Sequence, residues 1–240
     1  ASPAVTAATI CEGEQAVLVA TPTTGTIEWY ADAALTNLLA TGSTYTTTIL
    51  TTTTNYYVVE VSNTACRSLS ATSTVTVDPA PAAPAVSGAS ICSNSSTTLS
   101  ATGSGGTINW YADAATSVLV GTGATLTTPA LVQNTTYYVQ ETSAAGCNSA
   151  VAIATVTVNP LPAMPSSSPV TVCEGEDAIL SATGSGSGDL VFYDNTQTEI
   201  GRTSMSVAVP NASLNLGVLT AGNYLYYVGE DDGSCVSILA

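Results

Sequence analysis

Cys11, Cys92 and Cys173 lie 81 residues apart, and Pro3, Pro84 and Pro165 keep the same interval. Trp29 and Trp110, Tyr30 and Tyr111, and Cys66 and Cys147 repeat it. A fixed period of this size means that one structural unit is copied along the chain. It overrides the one or two domains that 240 residues would otherwise suggest. The third copy has drifted: Phe192 takes the Trp place after a gain of one residue. By Cys235 the net gain is seven, the rest lying between Gly201 and Tyr226. The copies span 1–79, 80–160 and 161–240.

Within each copy the pattern is that of short strands. Ala16–Ala20, Thr97–Ala101 and Ala178–Ala182 place Leu18, Leu99 and Leu180 two residues before Ala20, Ala101 and Ala182, so these pairs share one buried face. In Ile27-Glu28-Trp29-Tyr30 and Ile108-Asn109-Trp110-Tyr111, Ile and Trp alternate inward, while Glu28 and Asn109 point out. Leu190-Val191-Phe192-Tyr193 is the third version. A Tyr-Tyr-Val strand follows at Tyr56, Tyr137 and Tyr226, and the last strand reads Thr74–Val77 and Thr155–Val158. Strands every 8–12 residues without helical periodicity predict an all-β fold: three tandem immunoglobulin-like antiparallel β-sandwiches with an inward Trp. The usual inter-sheet cysteine pair is replaced by Ala20 and Val58. The links Asp78–Pro84 and Asn159–Pro162 are Pro-rich, which predicts stiff spacers and a rod. The third copy stops five residues after Cys235, where its sisters run on for about a dozen to finish their last strand. Most of that strand is expected to be missing. A truncated view of a longer chain is favoured over a strand donated by a neighbour, although the open sheet edge suits both.

Composition narrows the function classes. Charged residues make up 8% of the chain, Lys and His are absent, and Arg67 and Arg202 face 17 acidic residues, for a net charge of -15. Such a surface repels phosphate backbones and anionic bilayers, so neither nucleic acid nor membrane insertion is expected. No apolar run reaches the length of a membrane-spanning helix. The chain opens Ala1-Ser2-Pro3 without a leader pattern, which suggests a processed or excised piece of a longer product. Six cysteines without histidine point to disulfides and an oxidising, extracellular compartment rather than to zinc.

Several motifs together carry a resemblance. They are Ile10-Cys11-Glu12-Gly13-Glu14, Trp-Tyr-Ala-Asp at 29–32 and 110–113, Gly121-Thr122-Gly123 with Thr127-Thr128-Pro129-Ala130-Leu131, Thr135-Thr136-Tyr137-Tyr138-Val139, and Gly146-Cys147. The chain resembles the Ig-like repeats of very large secreted surface proteins of Bacteroidota, among them gliding-motility adhesins exported by the type IX route. That resemblance implies an extracellular, cell-surface location and a spacer or adhesive role, and it brings no catalytic residues.

No catalytic, cofactor or metal site is expected. Without His there is no Ser-His-Asp or Cys-His system, and without Lys no Schiff base. Paired carboxylates in turns of small sandwiches lack a cleft. Calcium could be held at the acidic turns Glu174/Glu176/Asp177 and Glu230/Asp231/Asp232, with Glu12 and Glu14 repeating the first of them. The second copy has Ser93-Asn94-Ser95 there, and solvated turns are the plainer reading. In each pair Tyr56/Tyr57, Tyr137/Tyr138 and Tyr226/Tyr227, alternation buries one ring and leaves the other as a possible sugar contact. The Thr-rich run 44–54 and the sequons at Asn94, Asn134 and Asn211 admit glycosylation.

The six cysteines allow two schemes. One bridge per copy would pair Cys11 with Cys66, Cys92 with Cys147 and Cys173 with Cys235, each closing a loop and adding roughly 4 kcal/mol. The predicted topology puts Cys11 and Cys66 at opposite poles, a strand of about 17–20 Å apart, whereas bridged Cα atoms lie within about 7 Å. This favours head-to-tail bridges, Cys11–Cys147 and Cys92–Cys235, leaving Cys66 and Cys173 for flanking repeats. The reading as a whole is a non-catalytic structural or adhesive stalk segment of a large extracellular adhesin or filament. Its partners would be neighbouring repeats of the same chain, and surface glycans or other filament chains. The alternative is a spacer or carbohydrate-binding accessory module of a secreted polysaccharide-degrading enzyme.

Overall fold

A computed structural model describes residues 1–240, which form strands and no helix. The first repeat contains β1 (Ala4–Val5), β2 (Ala8–Cys11), β3 (Val17–Thr21), β4 (Thr26–Tyr30), β5 (Leu38–Thr41), β6 (Thr44–Thr46), β7 (Thr54–Val61) and β8 (Ala71–Asp78). The second contains β9 (Ala85–Val86), β10 (Ala89–Cys92), β11 (Thr98–Thr102), β12 (Thr107–Tyr111), β13 (Leu119–Thr122), β14 (Thr125–Thr127), β15 (Thr135–Thr142) and β16 (Ala152–Asn159). The third contains β17 (Ser166–Ser167), β18 (Asp177–Thr183), β19 (Asp189–Tyr193), β20 (Glu199–Ser204), β21 (Asn211–Val218) and β22 (Tyr227–Asp231). The repeats are β-sandwiches. By packing, the chain falls into two compact units: Ala1–Val86 with Ser100–Leu126 and Tyr137–Ile153, and Ser87–Leu99 with Thr127–Thr136 and Ala154–Ala240.

The first repeat shows the plan. One sheet runs β1-β3-β6 and the other β2-β8-β7-β4-β5. The entering strand is split: β1 pairs antiparallel with β3, then the chain crosses and β2 pairs parallel with β8, Ala8 opposite Val75 and Cys11 opposite Asp78. The second repeat keeps this split, with β9 on β11 and β10 parallel to β16. This crossing carries Cys11 and Cys92 to the end of the larger sheet.

The core follows from period-2 alternation. Leu18, Ala20, Ile27, Trp29, Tyr56, Val58 and Val75 are buried together, while Val17 and Val19 face out. Leu99, Ala101, Ile108 and Trp110 are buried in the second repeat, and Ala182, Leu190 and Phe192 in the third, where Leu180 is only partly covered. Burying an indole requires a partner for its N–H. Trp29 donates to the Gly42 carbonyl at 2.9 Å and Trp110 to that of Gly123 at 2.9 Å. Phe192 needs no such acceptor.

The third repeat has two three-stranded sheets, β17-β18-β21 and β20-β19-β22. It lacks counterparts of β2 and β8. The counterpart of β7 is also three residues shorter at its start.

Candidate functional site: clasps between consecutive repeats

Cys11 closes β2, and the chain then turns sharply. Glu14 N–H donates to the Cys11 carbonyl at 3.1 Å, the Glu14 carboxylate accepts the Cys11 N–H at 3.1 Å, and Gly13 supplies the left-handed φ of 88°. Cys147 sits in the turn after β15. There Ser143 N–H donates to the Cys147 carbonyl at 2.8 Å and the Ser143 hydroxyl accepts the Cys147 N–H at 3.1 Å. The two cysteines form a disulfide with Cα atoms 5.5 Å apart. Cys92 and Cys235 form the second, with Cα atoms 5.7 Å apart. The Cys235 turn is organised by Asp232, whose carboxylate accepts the Ser234 and Cys235 N–H groups at 2.8 Å each. Each bridge therefore ties the end of a split entering strand to a turn of the next repeat, and each lies within one compact unit.

Cys66 and Cys173 are unpaired and exposed. Cys66 is presented as Cys147 is: Ser62 N–H donates to its carbonyl at 2.9 Å, and the Ser62 hydroxyl accepts its N–H at 3.2 Å. Cys173 keeps the turn of Cys11, with Glu176 N–H donating to its carbonyl at 3.2 Å.

The acidic run Glu230-Asp231-Asp232 is not a solvated turn, which corrects the plainer reading of it. Glu230 is fully buried within β22. Burial alone would push its carboxyl up, but the Ser185 hydroxyl and N–H and the Ser187 hydroxyl and N–H donate to it and hold it below the ordinary carboxylate value. Asp231 accepts the Gly233 N–H and pairs with Arg202 at 2.8 Å. Asp232 is engaged in the Cys235 turn. The three side chains thus point to separate tasks. Nowhere do three or more His, Cys, Asp or Glu side chains gather in a metal-binding arrangement.

Glu230 has counterparts in every repeat. Glu141 is fully buried and accepts N–H groups of Ser104 and Gly106 together with the Ser104 hydroxyl, which keeps its pKa low. Glu60 accepts from Thr23, Thr24 and Gly25, and these backbone donors, led by Thr24, bring its pKa down to about 2. Each carboxylate thus latches the loop that crosses from one sheet to the other between the counterparts of β3 and β4. Each Glu also donates its own backbone N–H to a serine hydroxyl, that of Ser68, Ser149 or Ser237. Sequence reasoning missed this latch, although Glu stands last but one in the Tyr-Tyr-Val strand in all three copies.

Both basic residues are engaged. Arg67 lies over the Tyr30 ring, 5.5 Å from its centroid, donates to the Tyr30 hydroxyl at 2.9 Å and pairs with Glu28 at 3.4 Å. Arg202 pairs with Asp189, Glu199 and Asp231. Of the tyrosine pairs, Tyr56 and Tyr137 are buried and Tyr57 and Tyr138 half-buried, while Tyr226 and Tyr227 are both half-buried. Both Trp rings are in the cores and offer no platform.

Tandem β-sandwiches of this plan are those of modular Ig-like proteins. The family model described as "Ig-like domain CHU_C associated" matches residues 1–79 and 81–160, and the chain belongs to that family. No curated protein matches the chain. Solved structures of similar fold include titin domains I67–I69 in an E-to-A variant, at 16% identity over 98% of this chain and 95% of that one, with a TM-score of 0.42. The fibronectin(III)-like modules of Clostridium thermocellum CbhA match at 16% identity over 65% of this chain and 90% of theirs, with a TM-score of 0.39. Chicken CNTN1 FN1–FN3 matches at 13% over 95% and 93%, with a TM-score of 0.38.

Proposed function

We propose that this chain is a non-catalytic structural segment of a large extracellular surface protein, an adhesin or filament of the Bacteroidota type, in which each repeat is clasped covalently to the next. The observation that carries this reading is the pair of staggered disulfides, Cys11–Cys147 and Cys92–Cys235. Disulfides persist in oxidising compartments, which supports a location outside the cell. Export by the type IX route and a part in gliding motility belong to the same reading and rest on the motif resemblance. Cys66 and Cys173 would continue the series, Cys66 with the Cys11-type residue of a preceding repeat and Cys173 with the Cys66-type residue of a following one.

Staggered bridges have a mechanical consequence. The shortest covalent path from end to end crosses from Cys11 to Cys147, returns along the backbone to Cys92 and crosses to Cys235. That path holds about 70 residues, so the oxidised chain can stretch to only roughly 240–260 Å, against roughly 790–860 Å when reduced. Pulling the chain by its ends in a single-molecule experiment, with and without reductant, tests the load-bearing reading. Equal final lengths in both conditions would refute it.

A further inference from the structure

Between consecutive sandwiches the chain is pinned at both ends and bare in the middle. The Asp78 carbonyl accepts the Glu12 N–H at 2.9 Å, and the Asn159 carbonyl accepts the Ser93 N–H at 2.8 Å. Pro84 and Pro165 are buried where the next repeat begins. Between these anchors Pro79, Ala80, Ala82 and Ala83 are exposed in the first link, and Pro160, Ala163 and Met164 in the second. Neither 79–83 nor 160–164 is a strand, and neither makes a backbone hydrogen bond. Exposed, unpaired backbone is what an endopeptidase needs. Proline narrows the choice of enzyme. A bond that precedes proline resists most endopeptidases, because the ring fixes φ and offers no N–H. The bonds left are those after Pro79, Pro81 and Ala82, and after Pro160, Pro162 and Ala163. Each has proline or alanine on its acyl side, which fits a post-proline or small-residue endopeptidase.

The disulfides decide what such a cut does. A cut within 79–83 puts Cys11 and Cys147 on different pieces, and a cut within 160–164 does the same to Cys92 and Cys235, so one cystine still joins the pieces in each case. No strand is broken, because both links lie between strands. One bridge per copy would hold nothing across a cut. Little else holds the pieces. Within the first compact unit, the one polar contact across the first link is Cys147 Sγ itself, 3.8 Å from the Asp78 carbonyl oxygen. Within the second, the one across the second link is Cys92 Sγ, 3.3 Å from the Ser234 carbonyl oxygen. We propose that each link is a cleavage site whose outcome is under redox control. An endopeptidase of post-proline or small-residue specificity nicks the chain, and the repeats part only when a thiol reductant also opens the cystine across the nick. In the first step water adds across the peptide bond, giving a carboxylate and an amine. In the second a dithiol gives its hydrogens to the two cystine sulfurs and is itself oxidised to a disulfide. Either input alone leaves the molecule in one piece. The inference rests on how the cysteines pair and is independent of the proposed mechanical role.

The test digests the native 240-residue chain briefly with elastase, which cuts after alanine, or with a proline-specific endoprotease, with and without dithiothreitol. Gel filtration in native buffer is expected to show one undivided species after protease alone and after dithiothreitol alone, and separate repeats only after both. Separation by protease alone would overturn the proposal, and so would pieces that stay together once both reagents have acted. Mass spectrometry of the reduced pieces is expected to place the new ends within 79–83 and 160–164. New ends confined to loops inside the repeats would overturn the assignment of the links as cleavage sites. In a Cys11→Ser variant, a cut in the first link is expected to free the first repeat without any reductant, while a cut in the second link frees nothing. Retention of the first repeat by that cut variant would overturn the control by Cys11–Cys147.

Discussion

Cys11 and Cys147 are 136 residues apart in the chain and 5.5 Å apart at their Cα atoms. The bridge spans a repeat boundary because the entering strand changes sheets: β2 ends beside Asp78, the residue from which the chain leaves for the second repeat. On the chain-entropy model, a loop this long contributes about 4–5 kcal/mol by restricting the unfolded ensemble.

Cys147→Ser is expected to lower the thermal midpoint of the oxidised protein, and Cys11→Ser/Cys147→Ser to do so equally, since both remove the same loop closure. Calorimetry on the two variants checks this. A Cys66→Ser change is expected to leave the midpoint unchanged, because Cys66 is exposed and forms no bridge here.

The Glu latches set an acid limit. A carboxylate whose folded-state pKa is depressed stabilises the fold above its unfolded value, and the contribution disappears as pH falls through the folded value. For Glu60 that window runs from about 4.5 down to about 2, and Glu141 and Glu230 shift the same way. Stability should therefore fall below pH 4.5, and Glu141→Gln should flatten this dependence. Denaturant unfolding at a series of pH values measures it, and an unaltered slope in the variant would count against the latch.

Gly106 immediately precedes β12, and a Cβ there would stand 2.4 Å from the Thr142 carbonyl oxygen. The obstacle is backbone, so β12 and β15 would have to part. Gly106→Ala is expected to cost about 1–3 kcal/mol, an overpacking penalty. Gly25, whose Cβ would meet the Val61 carbonyl at 2.4 Å, should behave alike. Chemical denaturation of both variants tests the pair.

Arg202 faces three carboxylates at 2.8–3.3 Å on a partly exposed surface. Such pairs are individually weak and screened by salt. Arg202→Ala should lower the midpoint of the third repeat at low ionic strength, because Asp189, Glu199 and Asp231 are then left to repel one another. The difference from the parent should shrink as sodium chloride is raised. A deficit independent of salt would mean that the lost contribution is packing by the side-chain stem.

The repeat, the strand faces and the buried Trp positions were legible in the sequence because they are periodic: an 81-residue interval and a two-residue alternation are one-dimensional signals. The elements that set the cysteines at the repeat ends were legible too, since strand length and turn position limit which sulfurs can meet. What the sequence did not disclose was the use of its few charges. Glu230 reads as one of three neighbouring acids, yet it is buried under a loop more than forty residues earlier, while Asp231 turns to Arg202. Only the tertiary structure decides this, because a carboxylate can be buried only where several N–H and O–H donors converge on it. That convergence depends on the loop between β18 and β19 folding back over β22 as it crosses between sheets, which no local pattern records.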